Sequence, residues 1–232
     1  MKRPIAEKIL ASTGWLSNQP SDFQRKLLAI GQIVNLQTDE FIFHVDDPQG
    51  GIFGIIDGGI GALIPTEGSS LRLATILRSG VWFGHGPLLR KGRRTLSFRA
   101  TEPSTLMRVD LAALNSLRSA EPATMNNFAT LSEQGTDVTI QVVHDLLIPD
   151  TGRRIAATLL RVSGVHENPG AGKMRKIRVN QAEIAEMANT SRHSANRTLG
   201  SFEQSGWIAV SYRHIQLLDP ISLAEFAHGG ET

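Results

Sequence analysis

Residues 179–218 read VNQAEIAEMANTSRHSANRTLGSFEQSGWIAVSYRHIQLL: two short amphipathic runs broken at Asn189-Thr190, then a glycine, then apolar residues at period two. Few folds end one short helix and begin another within so few residues. Asn180 and Glu183 have the spacing of an N-cap and its reciprocal partner, which starts a helix carrying Ile184, Ala185 and Ala188. Asn189 tolerates the left-handed conformation of a sharp exit, and Ser191 is a good cap for the run that follows. There Ala195, Leu199 and Phe202 line one face, while Arg192, His193, Asn196 and Arg197 point mostly away from it. Gly206 ends the run, and the alternation beyond it predicts two short strands around a tight turn near residues 211–213.

Two crossed helices with a short turn also occur as purely structural units. Here the second helix offers two arginines and a histidine near its start, and a basic hairpin follows. That is what a winged helix-turn-helix requires: the second helix enters the major groove, the first braces the backbone, and the wing touches phosphate. The candidate DNA contacts are Asn180 and Gln181 on the first helix, Ser191, Arg192, His193, Asn196 and Arg197 on the second, and Arg213 on the wing. Gly200, in mid-helix, costs about 1 kcal/mol relative to alanine. Close packing is the one reason the sequence offers for it.

Charge is unevenly spread. Residues 1–150 hold 14 Lys and Arg against 15 Asp and Glu, whereas residues 151–218 hold 10 against 4, a surplus of six positive charges. Such a surplus suits a polyanion, although a solvated basic surface would look the same. The first part has a different texture, with eleven of the 22 glycines between residues 50 and 92, interleaved with apolar segments such as GIFGIIDGGIGALI and LRLATIL. Short strands turning at glycines predict a compact β-sandwich or barrel, with Asp57-Gly58-Gly59 as a tight hairpin turn.

From Glu121 the pattern changes again. Pro122 suits a first helical turn, and Phe128, Leu131, Gly135, Val138 and Val142 follow a three-four spacing. The spacing predicts a helix of about six to seven turns that stops near Ile148-Pro149. A helix covering its own core would read identically; the length and heptad-like spacing favour a seam between two subunits. Asp150 or Thr151 then caps a helix whose apolar face is Ile155, Leu159, Leu160 and Val162, and a polar loop, GVHENPGAGKMRK, follows.

Several function classes drop out. With no cysteine there are no disulfides, thiolate metal sites, iron-sulfur clusters or cysteine nucleophiles. The seven histidines stand at 44, 85, 144, 166, 193, 214 and 228, none at the spacing of a helical ligand pair, which disfavours metal and haem. Neither a signal peptide nor a membrane helix is legible, so a cytoplasmic location with no membrane partner is the expectation. GAGK at 170–173 lacks the upstream glycine and following hydroxyl of a phosphate loop, and no G-x-S-x-G, H-E-x-x-H or carboxylate dyad is evident, so no enzyme is expected.

Read in order, the segments resemble the cyclic-AMP receptor protein / fumarate-nitrate regulator family of bacterial transcription factors. TGRRIAATLL and QAEIAEMANTSRHSANRTL carry the likeness most specifically, IIDGGIGALI and VWFGHGPLLRKGRRTLSFRA more loosely. The resemblance implies an α+β chain: a cyclic-nucleotide-binding-like β-roll (double-stranded β-helix or jelly roll) over residues 1–120, a dimerisation helix over 121–148, and a winged helix-turn-helix over 149–232. It further implies a homodimer with Phe128, Leu131, Gly135, Val138 and Val142 at its interface, a pseudo-palindromic double-stranded DNA operator, RNA polymerase as a partner, and a small effector in the β-roll. The family's recognition helix offers Ser, Arg, Glu and a later Arg; this chain has Ser191, Arg192, His193 and Arg197. Both arginines keep bidentate donors suited to guanine, while His193 replaces the carboxylate that would accept from cytosine.

The β-roll departs further from the family. Where cyclic-AMP binders hold the ribose with a Gly-Glu pair, this chain has Gly84-His85. The Arg-Ser/Thr pair that holds the cyclic phosphate survives as Arg94-Thr95, with Arg93 competing for the role. Thr139 falls near the family's purine-facing hydroxyl, beside Ile140. Cyclic AMP is thus the effector to test against an incomplete motif. Two alternatives stay open: an effector-independent regulator, and an effector-binding module that acts through protein-protein contact.

Overall fold

Residues 3–30, grouped with the β-domain by the sequence reading, fold as three helices: α1 (Arg3–Ser12), α2 (Gly14–Ser17) and α3 (Ser21–Ile30). A proline in the first turn of α1 and Asp22 in the first turn of α3 are suited to those ends. The computed structural model describes residues 1–48, 50–67, 70–89, 92–164 and 176–229. The chain divides into two compact units, residues 1–71 with 76–138, and residues 72–75 with 139–232.

Among the described residues, eight strands between residues 32 and 109 form two four-stranded sheets. One has the order β1 (Gln32–Leu36), β8 (Ser104–Val109), β3 (Ile52–Asp57), β6 (Trp82–Phe83); the other runs β2 (Phe41–Phe43), β7 (Ser97–Ala100), β4 (Ile60–Pro65), β5 (Leu71–Leu77). This corrects the hairpin expected at Asp57-Gly58-Gly59. The turn is there, with Gly58 at φ +97°, but β3 and β4 belong to different sheets, so it carries the chain from one sheet to the other. A side chain at Gly58 would be strained by that φ and would also collide with Ser104, 2.3 Å from the site of a Cβ. A short helix α4 (Gly86–Leu89) follows β6, and α5 (Leu111–Ala120), which the sequence reading did not separate, follows β8.

The long helix is α6 (Thr124–Leu147), and it stops one residue before Ile148. Two of the five seam residues read from the sequence lie inside their own protomer. Phe128 and Leu131 are wholly buried in their own protomer, in one cluster with Trp15, Phe23, Trp82 and Leu114. Phe128 stacks on Trp15 at 6.2 Å and meets Phe23 edge-on at 5.5 Å. Gly135 faces His85, Val138 packs on the roll's own core, and Val142 is buried. Three-four spacing marks an apolar face but not the chain that covers it. Ile140, Val143, Leu146 and Leu147 are the large apolar residues that α6 leaves exposed, at 59%, 49%, 40% and 74%.

The second unit contains α7 (Thr151–Ser163), β9 (Lys176–Arg178), α8 (Gln181–Met187), α9 (Arg192–Gln204), β10 (Ile208–Ser211), β11 (His214–Leu217) and α10 (Pro220–His228). Asp150 caps α7, its carboxylate accepting from the Arg153 amide. β10 pairs with β11 as the period-two pattern predicts, and β9 adds a third strand that the sequence reading missed. His166 and the GAGK stretch at 170–173 lie outside the described residues.

Candidate nucleic-acid interface and ligand site

The two short helices are built by local chemistry. Asn180 Oδ1 accepts from the amides of Ala182 and Glu183, both at 2.9 Å, and the Glu183 carboxylate accepts from the Asn180 amide at 2.8 Å. That reciprocal box satisfies orphan donors at the start of α8, and it engages the Asn180 carbonyl oxygen in capping. Asn189 takes φ +47°, and the Thr190 amide donates back to Ala185. Ser191 Oγ then accepts from the Ser194 amide at 3.1 Å and starts α9. Ala195, Leu199 and Phe202 are buried, whereas Ser191, Arg192, His193, Asn196 and Arg197 are exposed. The end of α9 is a Schellman motif: Gly206 at φ +75° donates to Glu203 O, and Trp207 donates to Phe202 O. Trp207, Phe202 and Phe226 then form a ring triad with centroids 5.4–5.5 Å apart.

The wing turns at Tyr212 and Arg213. Tyr212 is 85% exposed, Arg213 takes φ +56°, and the Arg213 guanidinium lies 5.5 Å from the Tyr212 ring centre. Glu203, an acid at the far end of α9, accepts from the Val210 amide at 2.8 Å. Arg192, Arg197 and Arg213 thus present exposed guanidinium groups on elements held by capping and by the ring triad.

One positioning residue escaped the sequence reading. Arg154, on α7, donates from Nε to Ala188 O at 2.7 Å and from Nη1 to Ile148 O at 2.6 Å. It therefore ties the end of α8 to the residue that follows α6. Nearby, Arg161 Nε donates to Asp145 at 2.7 Å, and both side chains are 4% exposed. Successive arginines in TGRR hinted at such braces, but their acceptors are backbone carbonyls, which no sequence pattern names.

In the first unit Arg94 is only 4% exposed. Its Nη1 donates to Gly84 O at 2.6 Å, its Nη2 donates to Gly51 O at 2.9 Å, and its guanidinium lies 3.9 Å from the centre of the Phe43 ring. Burial lowers its pKa to about 10, partly opposed by Asp47. The Phe43 ring continues into a cluster with Phe98, Phe83 and Phe53, with adjacent centroids 4.5–5.5 Å apart. Thr95 is exposed, and Arg93 donates to Asp46 O. The phosphate clamp expected of Arg94 and Thr95 is therefore not assembled: one residue braces backbone inside the roll while the other faces outward. Among the described residues the buried His85 Nδ1 has no hydrogen-bond partner, and burial, followed by the Arg94 charge, holds its pKa below the usual histidine value. Thr139 is exposed on α6. Beside Arg94 lies a cavity of about 670 Å³ lined by Val34, Leu36, Phe41, Phe53 and Arg108 among others. Among the described residues no cluster of three His, Asp or Glu side chains is arranged to hold a metal ion.

These two sites match known families. A cyclic nucleotide-binding domain model matches residues 33–121, and a Crp-like helix-turn-helix model matches residues 153–226. The chain belongs to the Crp/Fnr family of transcription regulators. Crp/Fnr members pair a cyclic-nucleotide-binding-type domain with a DNA-binding helix-turn-helix, the arrangement described above. The chain is 23% identical over 222 residues to the CRP-like cAMP-activated global transcriptional regulator of Mycobacterium tuberculosis, covering 95% of this chain and 99% of that one. It is 27% identical over 213 residues to the cyclic AMP receptor protein of Thermus thermophilus, 90% of each. Among solved structures, the c-di-GMP responsive global regulator CLP of Xanthomonas campestris has the same fold, with a TM-score of 0.65 at 20% identity over 85% of this chain and 99% of that one. Crp/Fnr proteins are regulators rather than enzymes. No helix among the described residues is long and apolar enough to cross a membrane.

Proposed function

We propose that this Crp/Fnr protein is a cytoplasmic homodimer that reads a pseudo-palindromic operator with α9, contacts the backbone with the wing, and passes the result to RNA polymerase. The observation that carries the reading is the outward face of α9, where Arg192, His193, Asn196 and Arg197 stand exposed on a helix pinned by Ala195, Leu199 and Phe202. Arginine offers the planar fork that pairs with guanine in the major groove. The dimer seam assigned here is the exposed stripe of α6, Thr136, Ile140, Val143 and Leu147, whose three-four spacing fits a two-helix seam.

Arg197→Ala should weaken binding to an operator selected from a random pool by about 1–3 kcal/mol and relax base choice at one position of each half-site. Arg213→Ala should instead weaken operator and random duplex alike and flatten the salt dependence by about one unit of slope. Gel-shift titrations at several salt concentrations separate the two. Equal losses on operator and random DNA for Arg197→Ala would remove it from base reading.

Arg94 supports a second reading, that DNA binding here is independent of cyclic AMP. A cyclic phosphate held by Arg94 would have to draw it away from Gly51 O and Gly84 O, without the ribose carboxylate that His85 replaces. Calorimetric titration with cyclic AMP and cyclic GMP should give no binding heat at micromolar ligand. Micromolar affinity for either would return this protein to the nucleotide-gated mechanism.

A further inference from the structure

Glycine inside a helix can serve a positive φ, a neighbour close to where a Cβ would stand, or the close approach of another molecule to the backbone. In α6 and α7 a Cβ would be in tight contact with a neighbouring side chain. A Cβ at Gly135 would lie 3.1 Å from His85, and one at Gly152 would lie 3.2 Å from Asp150. Gly200 in α9 is different. Its φ is not among the positive ones, and a Cβ built there meets no described neighbour within 4 Å beyond its own helix's backbone. The close packing expected from the sequence is not seen among the described residues, and the third of these is the one its position fits.

What shares its face decides what would approach. His193, Arg197, Gly200 and Gln204 follow one another at intervals of four, three and four along α9, one stripe of a helix. Ala195, Leu199 and Phe202 occupy the opposite side and are buried. Gly200 thus lies in the middle of the outward stripe, one turn beyond the guanidinium donors.

We propose that Gly200 sets the depth at which α9 seats against DNA, by letting helix backbone come to contact distance with the duplex where a side chain would hold it off. The inference rests on α9 being the reading helix. A methyl group at this position stands about 1.5 Å further out than the glycine Cα. That displacement would carry the hydrogen bonds of Arg197 and His193 beyond their useful range, since heavy-atom separations past about 3.5 Å no longer count as bonds. The chain would then keep, at a loss of helix stability, a residue that benefits only the bound state.

The test pairs two readouts on the full-length protein with Gly200→Ala, Gly200→Leu and Arg197→Ala, using an operator selected by the wild type. Gly200→Ala should raise the melting temperature by about 2–4 °C yet weaken operator binding about tenfold, with random-duplex binding at low salt changed less than twofold. Gly200→Leu should weaken the operator complex further, in step with its volume. Operator affinity unchanged or improved in Gly200→Ala, with Arg197→Ala still weakening it, would overturn the inference and leave the reading of α9 standing. Unchanged operator binding in Arg197→Ala as well would overturn that reading and the inference with it.

Discussion

Glutamate at both Ile140 and Val143 should convert the proposed dimer into a monomer that stays folded, and should weaken operator binding by about 100-fold or more, the scale on which linked half-sites gain over single ones. The two side chains are 59% and 49% exposed and, with Leu147 at 74%, form the apolar part of the outward stripe of α6. Burying each against a partner helix is worth about 1–2 kcal/mol by the area removed from water, and symmetry doubles every such contact. Four carboxylates brought together in that seam reverse the sign. Because neither residue is in the core, melting of the monomer unit should change little. Phe128→Ala is the informative contrast: it lies in the protomer's own cluster with Trp15 and Phe23, so it should cost about 3–5 kcal/mol of folding stability. Sedimentation at several concentrations with urea unfolding separates the outcomes. A double glutamate variant that sediments as a dimer would move the interface off this stripe.

Arg94→Ala should lower the unfolding free energy by about 2–4 kcal/mol. The guanidinium makes two charge-assisted bonds to the Gly51 and Gly84 carbonyls and covers the Phe43 ring. Removing it leaves two carbonyls without their donor, and a buried group left unpaired costs about 1–3 kcal/mol. Burial of the charge opposes this, as its pKa, lowered to about 10, records, so the net effect falls short of the sum. Arg94→Lys should keep little of the difference, since one ammonium has no planar fork to span both acceptors. Urea unfolding checks both variants. If Arg94→Ala unfolds at the wild-type urea concentration, the brace contributes nothing and the side chain is free to serve a ligand.

Gly206, Asn189, Ser191 and the Asn180-Glu183 box could be read before any coordinates because each acts on backbone groups within four residues of itself. The same holds for the alternation from Ile208 onward, where successive side chains must face opposite sides. Gly84-His85 and Arg94-Thr95 were located by resemblance, yet their surroundings were not. Arg94 reaches Gly51, 43 residues away, and Arg154 reaches Ala188, 34 residues away. Nothing in either sequence neighbourhood specifies those acceptors.

The clearest division falls within α6 and α9. Periodicity by itself determined that both are amphipathic helices, where each begins and ends to within a few residues, and that α9 turns its arginines away from its apolar face. Only the tertiary structure decided that Phe128 and Leu131 look inward while Ile140, Val143 and Leu147 look out, that Asp57-Gly58-Gly59 joins two sheets rather than two paired strands, and that Gly200 has no described neighbour opposite it. Caps, turns and periods follow from backbone bonding over a few residues. Which surface covers an apolar face, which carbonyl receives a guanidinium and what stands opposite a glycine depend on segments that meet only after the chain has folded.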